Sequence, residues 1–450
     1  MIDHSPATPE PPGLPPFSPP PTPTRPRRGG ASPLAVVLLM LGAAAVAAAV
    51  ALLAGGSRGG GSAAAFDGTV YLLSGRSAPH ANSVLAYRYR AGSLAPLDLR
   101  EYPTGGSGAF DQSNQGVLDS VGQIAESPSH DELFAVNESS DTVAAFHVSP
   151  DGTLTAVKGS PFPSGGNAPA SVAVRGHVVL VANKSADGVR RRLRTQPGSF
   201  TSLPISADGS LGPPISTISL PPQAAATQAL VTPDGSLMIG SLESGQFVVL
   251  RIAADGSLSQ APGSPQLLDP ASFPAGPGHA PVWPQGLALL PAQHLLYANV
   301  ANVAALAVYS YARSGRLTFL GAVANKRAKL PCWTAVNTAG TRLYTDNAGN
   351  DTVSVFDIAT DPRHPRQLQT LRLRSAGNPW NNALDPAGRF LFVLNPRAVN
   401  FIDPGKGNAV DSLHVNADGT LTELKTSPVA IPVSTDTQPQ GLLVIARRGS

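Results

Sequence analysis

The residues best placed to do chemistry are cations. Arg190, Arg191, Arg192 and Arg194 crowd one stretch, and Lys326, Arg327 and Lys329 a second. Arg397 and His279 (in Gly-Pro-Gly-His) stand in two further turn-rich segments. A guanidinium donates two parallel hydrogen bonds to a carboxylate or phosphate, so these groups, if brought together, suit a small anionic ligand. The competing reading is a solvated charge run balanced by nearby acids. Cys332 is the only cysteine, which excludes an intrachain disulfide and a metal site built on thiolates. With no His beside it, Cys332 reads as a small buried residue rather than a reactive thiol. Trp283, Trp333 and Trp380 could form a stacking surface or pack between structural layers. The run from Asp346 to Asp351 has the composition of a calcium loop without its ligand spacing, and turn chemistry explains it better. No zinc spacing, phosphate-cradling glycine loop or Ser-His-Asp arrangement is present, so neither metal nor cofactor is expected. Gly55-Gly56-Ser57-Arg58-Gly59 fits a nucleophile-elbow pattern, but no strand precedes it and no helix follows.

A repeated unit must position these side chains. In Pro128–Leu154, PSHDELFAVNESSDTVAAFHVSPDGTL, an apolar strand (Leu133–Asn137) precedes a polar turn (Glu138–Asp141) and a β-branched strand (Thr142–Val148). Asp151-Gly152 then forms a hairpin turn into a further strand. A tight turn leading into a buried strand recurs at residues 66–75, 128–137, 174–183, 233–242, 291–300, 338–347 and 386–395, a mean spacing of about 53 residues. A short strand precedes six of these turns, at 121–127, 169–174, 227–232, 284–290, 331–337 and 379–385. The first unit lacks one, and PQGLLVIA (439–446) at the far end nearly duplicates PQGLALL (284–290). The expected fold is therefore an all-β seven-bladed β-propeller over residues 66–450, its C-terminal strand closing the first blade and leaving no long free edge.

Ahead of it, residues 1–32 are Pro-rich and expected to be a disordered cytoplasmic tail. Residues 33–54 are expected to form a transmembrane signal anchor: Leu34–Ala54 carries no charge and, as a helix, would span roughly 31 Å. Arg25, Arg27 and Arg28 before it, against Arg58 after it, send the propeller outward. A cleaved signal peptide ending near Ala63–Ala65, giving a secreted protein, is the alternative. Residues 55–65 are a flexible linker. Four of the 32 basic and two of the 29 acidic residues fall in residues 1–65, so the propeller is nearly neutral and no nucleic-acid partner is expected. A monomer is expected.

Within each blade the connections between first and second strands are tight, and most between third and fourth are too (DGTL, DGSL, SGRL). The long connections, at 100–120, 184–198, 262–283 and 396–409, are of the other two kinds and should gather on one face of the disc. That face should carry Arg190, Arg191, Arg192, Arg194, Lys326, Arg327 and Lys329 as ligand-binding residues, with Trp333 near the channel.

The motifs LFAVNESSDTVAAFHVSPDGTL and PCWTAVNTAGTRLYTDNAGNDTVSVF, with the repeated DGSL/DGTL turns, resemble the seven-bladed propellers of the lactonase family. That family is related to 6-phosphogluconolactonase and carboxymuconate-cyclising enzymes, and to Tyr-Val-Thr-Asn repeat proteins. The resemblance covers residues 66–446 and implies the fold more firmly than a reaction. Active members carry a His-x-His pair, a Gly-Pro-Arg-His turn and a Glu after the Asn of a second strand. Here Asn137-Glu138 matches the last, Gly-Pro-Gly-His279 loosely echoes the second, and no His-x-His is present. The resemblance thus offers Glu138 and His279 as catalytic candidates, although a solvated turn residue is the ordinary reading of Glu138. The function expected is a membrane-anchored, extracytoplasmic propeller that binds a small anionic molecule or a protein or glycan partner on its long-loop face. The alternative is a lactonase-like hydrolase or cycloisomerase acting on a small anionic cyclic substrate.

Overall fold

The computed structural model describes residues 66–108, 121–185, 197–222, 224–273, 282–396, 408–434 and 437–447, with backbone only at 98–100. The tail, anchor and linker expected over residues 1–65 lie outside these, as do Arg190, Arg191, Arg192, Arg194, His279 and Arg397. No helix among the described residues is long and apolar enough to cross a membrane.

Seven antiparallel sheets form the propeller. Blade 1 runs outward from the C-terminal strand Gln440–Ala446 through Gly68–Leu73 and Ser83–Arg90 to Ser93–Pro103. The closing strand pairs in register from Gly68↔Ala446 to Leu72↔Leu442, then shifts to Leu73↔Gln440. Blades 2 to 7 start at the channel on Ile124–Glu126, Pro169–Arg175, Ala226–Val231, Pro284–Leu290, Pro331–Val336 and Asn381–Leu384. The second strands, such as Glu132–Asn137 and Phe390–Asn395, are apolar because both faces are covered by neighbouring blades, and their side chains are almost wholly buried.

Side chains from these strands also staple neighbouring blades. The hydroxyls of Tyr71, Tyr297 and Tyr344 donate to the main-chain oxygens of Gly152 (2.7 Å), Pro362 (2.7 Å) and Gly419 (3.1 Å) in the next blade. Each such bond contributes about 1 kcal/mol net. Two of the acceptors belong to the Asp-Gly turns, whose glycines Gly152 and Gly419 sit at φ +85° and +83°, a region that favours glycine. Asp151 and Asp418 complete the turns by accepting from the N–H and hydroxyl of Thr153 and Thr420. Those bonds hold both carboxyls below their usual pKa.

Two boundaries differ from the sequence expectation. The first strand of blade 2 is only Ile124–Glu126, because Val121 and Gly122 bond elsewhere. Val121 N–H donates to Thr227 of blade 4 (2.8 Å), and Gly122 accepts from Val172 of blade 3 (2.7 Å). The fourth strands of blades 2, 4 and 7 are each broken in two. At the breaks Ser160, Ser264 and Ser427 accept the N–H of Ala145, Val249 and Ser412 on their side-chain oxygens. A proline, which has no N–H to offer the ladder, follows each serine.

Buried carboxyls between blades 6 and 7 make stability pH-dependent. Burial pushes Asp411 up to about 7, against hydrogen bonds from Ser375 Oγ (2.7 Å) and Asn395 Nδ2 (3.3 Å) and with the Glu423 and Asp351 carboxyls nearby. Burial likewise raises Asp351 to about 6. An unfolded aspartate titrates near pKa 3.9, so between about pH 4 and 7 the folded state holds protons that the unfolded chain has lost. The resulting stability is fully present below about pH 4 and is lost as pH rises through about 6 to 7. The melting temperature should fall between about pH 5 and pH 8, and Asp411→Asn should flatten that fall while raising stability at the alkaline end. A variant whose pH profile parallels the wild type would remove Asp411 as the source.

Candidate ligand site at the channel mouth

The residue immediately after each second strand occupies one repeated position on the long-loop face. Around the ring it is Ser74, Glu138, Lys184, Glu243, Ala301, Ala348 and Pro396. Blades 2, 3 and 4 therefore place charged side chains there, and blades 5 and 6 place alanines.

Glu138 opens a short 3-10 turn, Glu138–Ser140, and is 1% exposed, so it is not the solvated turn residue that its local sequence suggests. Its Oε2 accepts from Gln440 Nε2 at 2.8 Å, so the closing strand of blade 1 holds the carboxylate of blade 2. Asn137 anchors the turn from below. It accepts from Asn82 Nδ2 (3.0 Å) and Thr104 Oγ1 (2.6 Å) and donates to Thr142 Oγ1 (3.1 Å). In the next two blades Lys184 Nζ and Glu243 Oε1 form an ion pair at 2.6 Å, with side chains 0% and 1% exposed. Sequence reasoning missed this pair. The available signal was positional, since both residues occupy the repeat position of Glu138.

The opposite half of the mouth is aromatic. Trp333 and Trp380 stack with ring centres 4.8 Å apart and planes tilted by 39°. Cys332, Ala301 and Ala348 are buried against them, and Val121, Trp283 and Leu330 pack around the edge. Val121 reaches this cluster from the start of blade 2. Trp333 is 1% exposed and its ring is occupied by this packing. Cys332 is buried as expected, its thiol donating to Leu330 O (3.2 Å). Several buried polar atoms here find no hydrogen-bond partner among the described residues: Trp380 Nε1, Gln285 Oε1 and Gln440 Oε1. Such groups cost about 1–3 kcal/mol each if left unsatisfied.

Asp346 shows a related device. It is the next-to-last residue of the second strand in blade 6, the position held in blade 5 by Asn299. Asn299 donates to the carbonyls of Cys332 (3.2 Å) and Trp333 (3.3 Å) in the following blade. Burial, opposed by a hydrogen bond with Asn382 and reinforced by Asp411, holds the Asp346 carboxyl well above the usual carboxylate range. Its protonated form can donate as the amide of Asn299 does.

Of the expected cations, Lys326, Arg327 and Lys329 are exposed. Lys326 and Arg327 line a cleft with Arg366, beside the outer strands of blades 5 and 6.

The molecule is thus a closed seven-bladed propeller whose channel mouth combines buried charge with an aromatic wall. It belongs to the lactonase, seven-bladed β-propeller family, whose pattern matches residues 104–400. No curated protein matches the chain. Among solved structures, it is similar to the "putative 6-phosphogluconolactonase" of Bacteroides fragilis (19% identity, TM-score 0.63, 86% of this chain and 99% of that one). It is also similar to the periplasmic gluconolactonase of Pseudomonas aeruginosa (18% identity, TM-score 0.60, 84% and 100%). At such identities these likenesses concern the fold.

Proposed function

We propose that the channel mouth binds a small hydroxylated cyclic ester, such as a sugar-acid lactone, and opens it by hydrolysis. The observation that carries this reading is the buried, oriented carboxyl of Glu138 at the mouth of a lactonase-family propeller. A carboxylate oriented by the Gln440 amide can take a proton from water as that water attacks the ester carbonyl. The ring C–O bond then breaks, and the leaving oxygen recovers a proton to give the open hydroxy acid. Trp380 Nε1–H offers a donor, and Gln285 Oε1 and Gln440 Oε1 offer acceptors, of the kind that ring hydroxyls would satisfy. The names of the two relatives point to gluconolactones as first substrates to try.

The test is turnover of a lactone panel by the purified full-length chain. Glu138→Gln keeps size and burial, so it should lower kcat/KM by about 100-fold or more without moving the melting temperature. Unchanged turnover in that variant, or no hydrolysis of any panel member, would defeat the reading. A second reading, a propeller that binds such a ligand without turnover, is favoured by the lack of a His-x-His pair and by Val121 packed at the edge of the aromatic cluster. Saturable binding without hydrolysis would be its signature.

A further inference from the structure

A cleft of about 560 Å³ lies between the outer strands of blades 5 and 6, Leu317–Ala324 and Arg366–Arg372. Its polar lining is Lys326, Arg327, Arg366, Gln367, Gln369 and Thr370, and no Asp or Glu contributes to it. Arg366 Nη2 donates to Asp357 at 3.4 Å, and Asp357 is also engaged by Arg342 Nη1 at 2.9 Å. Lys326 and Arg327 form no ion pair among the described residues.

The turn that presents these two cations is fixed from both sides. Gln367 clamps Lys326, its Oε1 accepting the Lys326 N–H (2.8 Å) and its Nε2 donating to the Lys326 carbonyl (3.0 Å). Asn350 does the same for the next residues, donating to Arg327 O (2.7 Å) and accepting from Lys329 N–H (3.1 Å). Arg327 is held at φ +62°, in the left-handed region that non-glycine residues rarely adopt. The clamps therefore fix the backbone of the turn from which the two cationic side chains project.

We propose that this cleft binds the phosphate or sulfate group of a small organic ester. Two guanidinium forks and an ammonium suit a tetrahedral oxyanion, whose three terminal oxygens can each accept from a different donor, whereas a carboxylate offers only two oxygens in one plane. The site is separate from the channel mouth and does not depend on the reading of Glu138.

Calorimetric titration of the full-length chain with inorganic phosphate and, separately, sulfate tests it. At low salt at least one of the two should bind saturably, and which one binds tells phosphate ester from sulfate ester. Acetate should not bind. Binding should weaken steeply as salt rises past about 0.1 M, where the screening length is about 10 Å. Lys326→Gln with Arg327→Gln should weaken it about tenfold or more with the melting temperature unchanged, since neither side chain packs. Lys158→Gln, on an exposed segment of blade 2, should leave it intact. Absence of saturable binding for both anions, or equal binding by the double variant and the wild type, would overturn the proposal.

Discussion

Removal of Pro439–Ser450 is expected to unfold the propeller rather than trim it. The strand Gln440–Ala446 is the innermost strand of blade 1 and pairs along the whole of Gly68–Leu73. Val444 and Ile445 are each 6% exposed and belong to two different cores, the first shared with blade 7 and the second with blade 2. Burial of a large aliphatic side chain is worth about 1.5–3 kcal/mol, so these two alone account for about 3–6 kcal/mol. A typical domain has only about 5–15 kcal/mol in total. The deletion also strips a row of hydrogen bonds from Gly68–Leu73 and exposes an edge that can pair with another chain. The truncated chain should melt far below the wild type or elute as aggregate, whereas removal of only the last three residues should change little. Because Gln440 holds Glu138, any folded remnant should lack the site as well. A melting temperature unaffected by the larger deletion would contradict ring closure.

Closure was legible in the sequence because one short strand was missing at the start and a near-copy stood at the end. The repeat pattern also located the ends of six of the seven second strands and overran the first, which ends at Leu73, by two residues, since an apolar run covered on both faces leaves little ambiguity. Glu132–Asn137 was expected from Leu133. The pattern failed where a segment bonds outside its own blade. Val121 and Gly122 continue an extended stretch, and nothing local says that their partners are Thr227 and Val172.

The site was legible in position and not in environment. Glu138 could be placed at the end of a strand, and turn residues there are usually solvated. It is buried, and its carboxylate is met by Gln440 of the closing strand, 302 residues further on. The tryptophans could likewise be placed at the mouth, but only the structure shows Trp333 stacked on Trp380. Loop length placed Lys326 and Arg327 on the long-loop face. What loop length does not show is that hydrogen bonds with Gln367 tie Lys326 to the outer strand of blade 6, a link between residues 41 apart that no local pattern carries. Even so, the repeat held an unused signal: aligning the residue after each second strand brings Glu138, Lys184 and Glu243 into one column.

Lys184→Met tests what that column does. The Lys184–Glu243 pair is as buried as the hydrophobic core around it, and removing one member leaves a carboxylate without its ammonium partner in a medium that solvates it poorly. A loss of about 3–5 kcal/mol is expected, read as a lower denaturant midpoint with an unchanged slope. Replacing both residues, Lys184→Met with Glu243→Leu, removes both desolvation penalties and should recover most of that loss. A single variant as stable as the wild type would mean that the pair is not a buried ion pair in solution. The rescued double variant then isolates function from folding. It carries an intact Glu138 and Gln440 but no charge in the two neighbouring blades. If it is stable and turns over lactone at the wild-type rate, the pair only joins blades 3 and 4. If it is stable while kcat/KM falls with Glu138 untouched, the alternating charges of blades 2, 3 and 4 act together on the substrate, and the active site spans three blades rather than one.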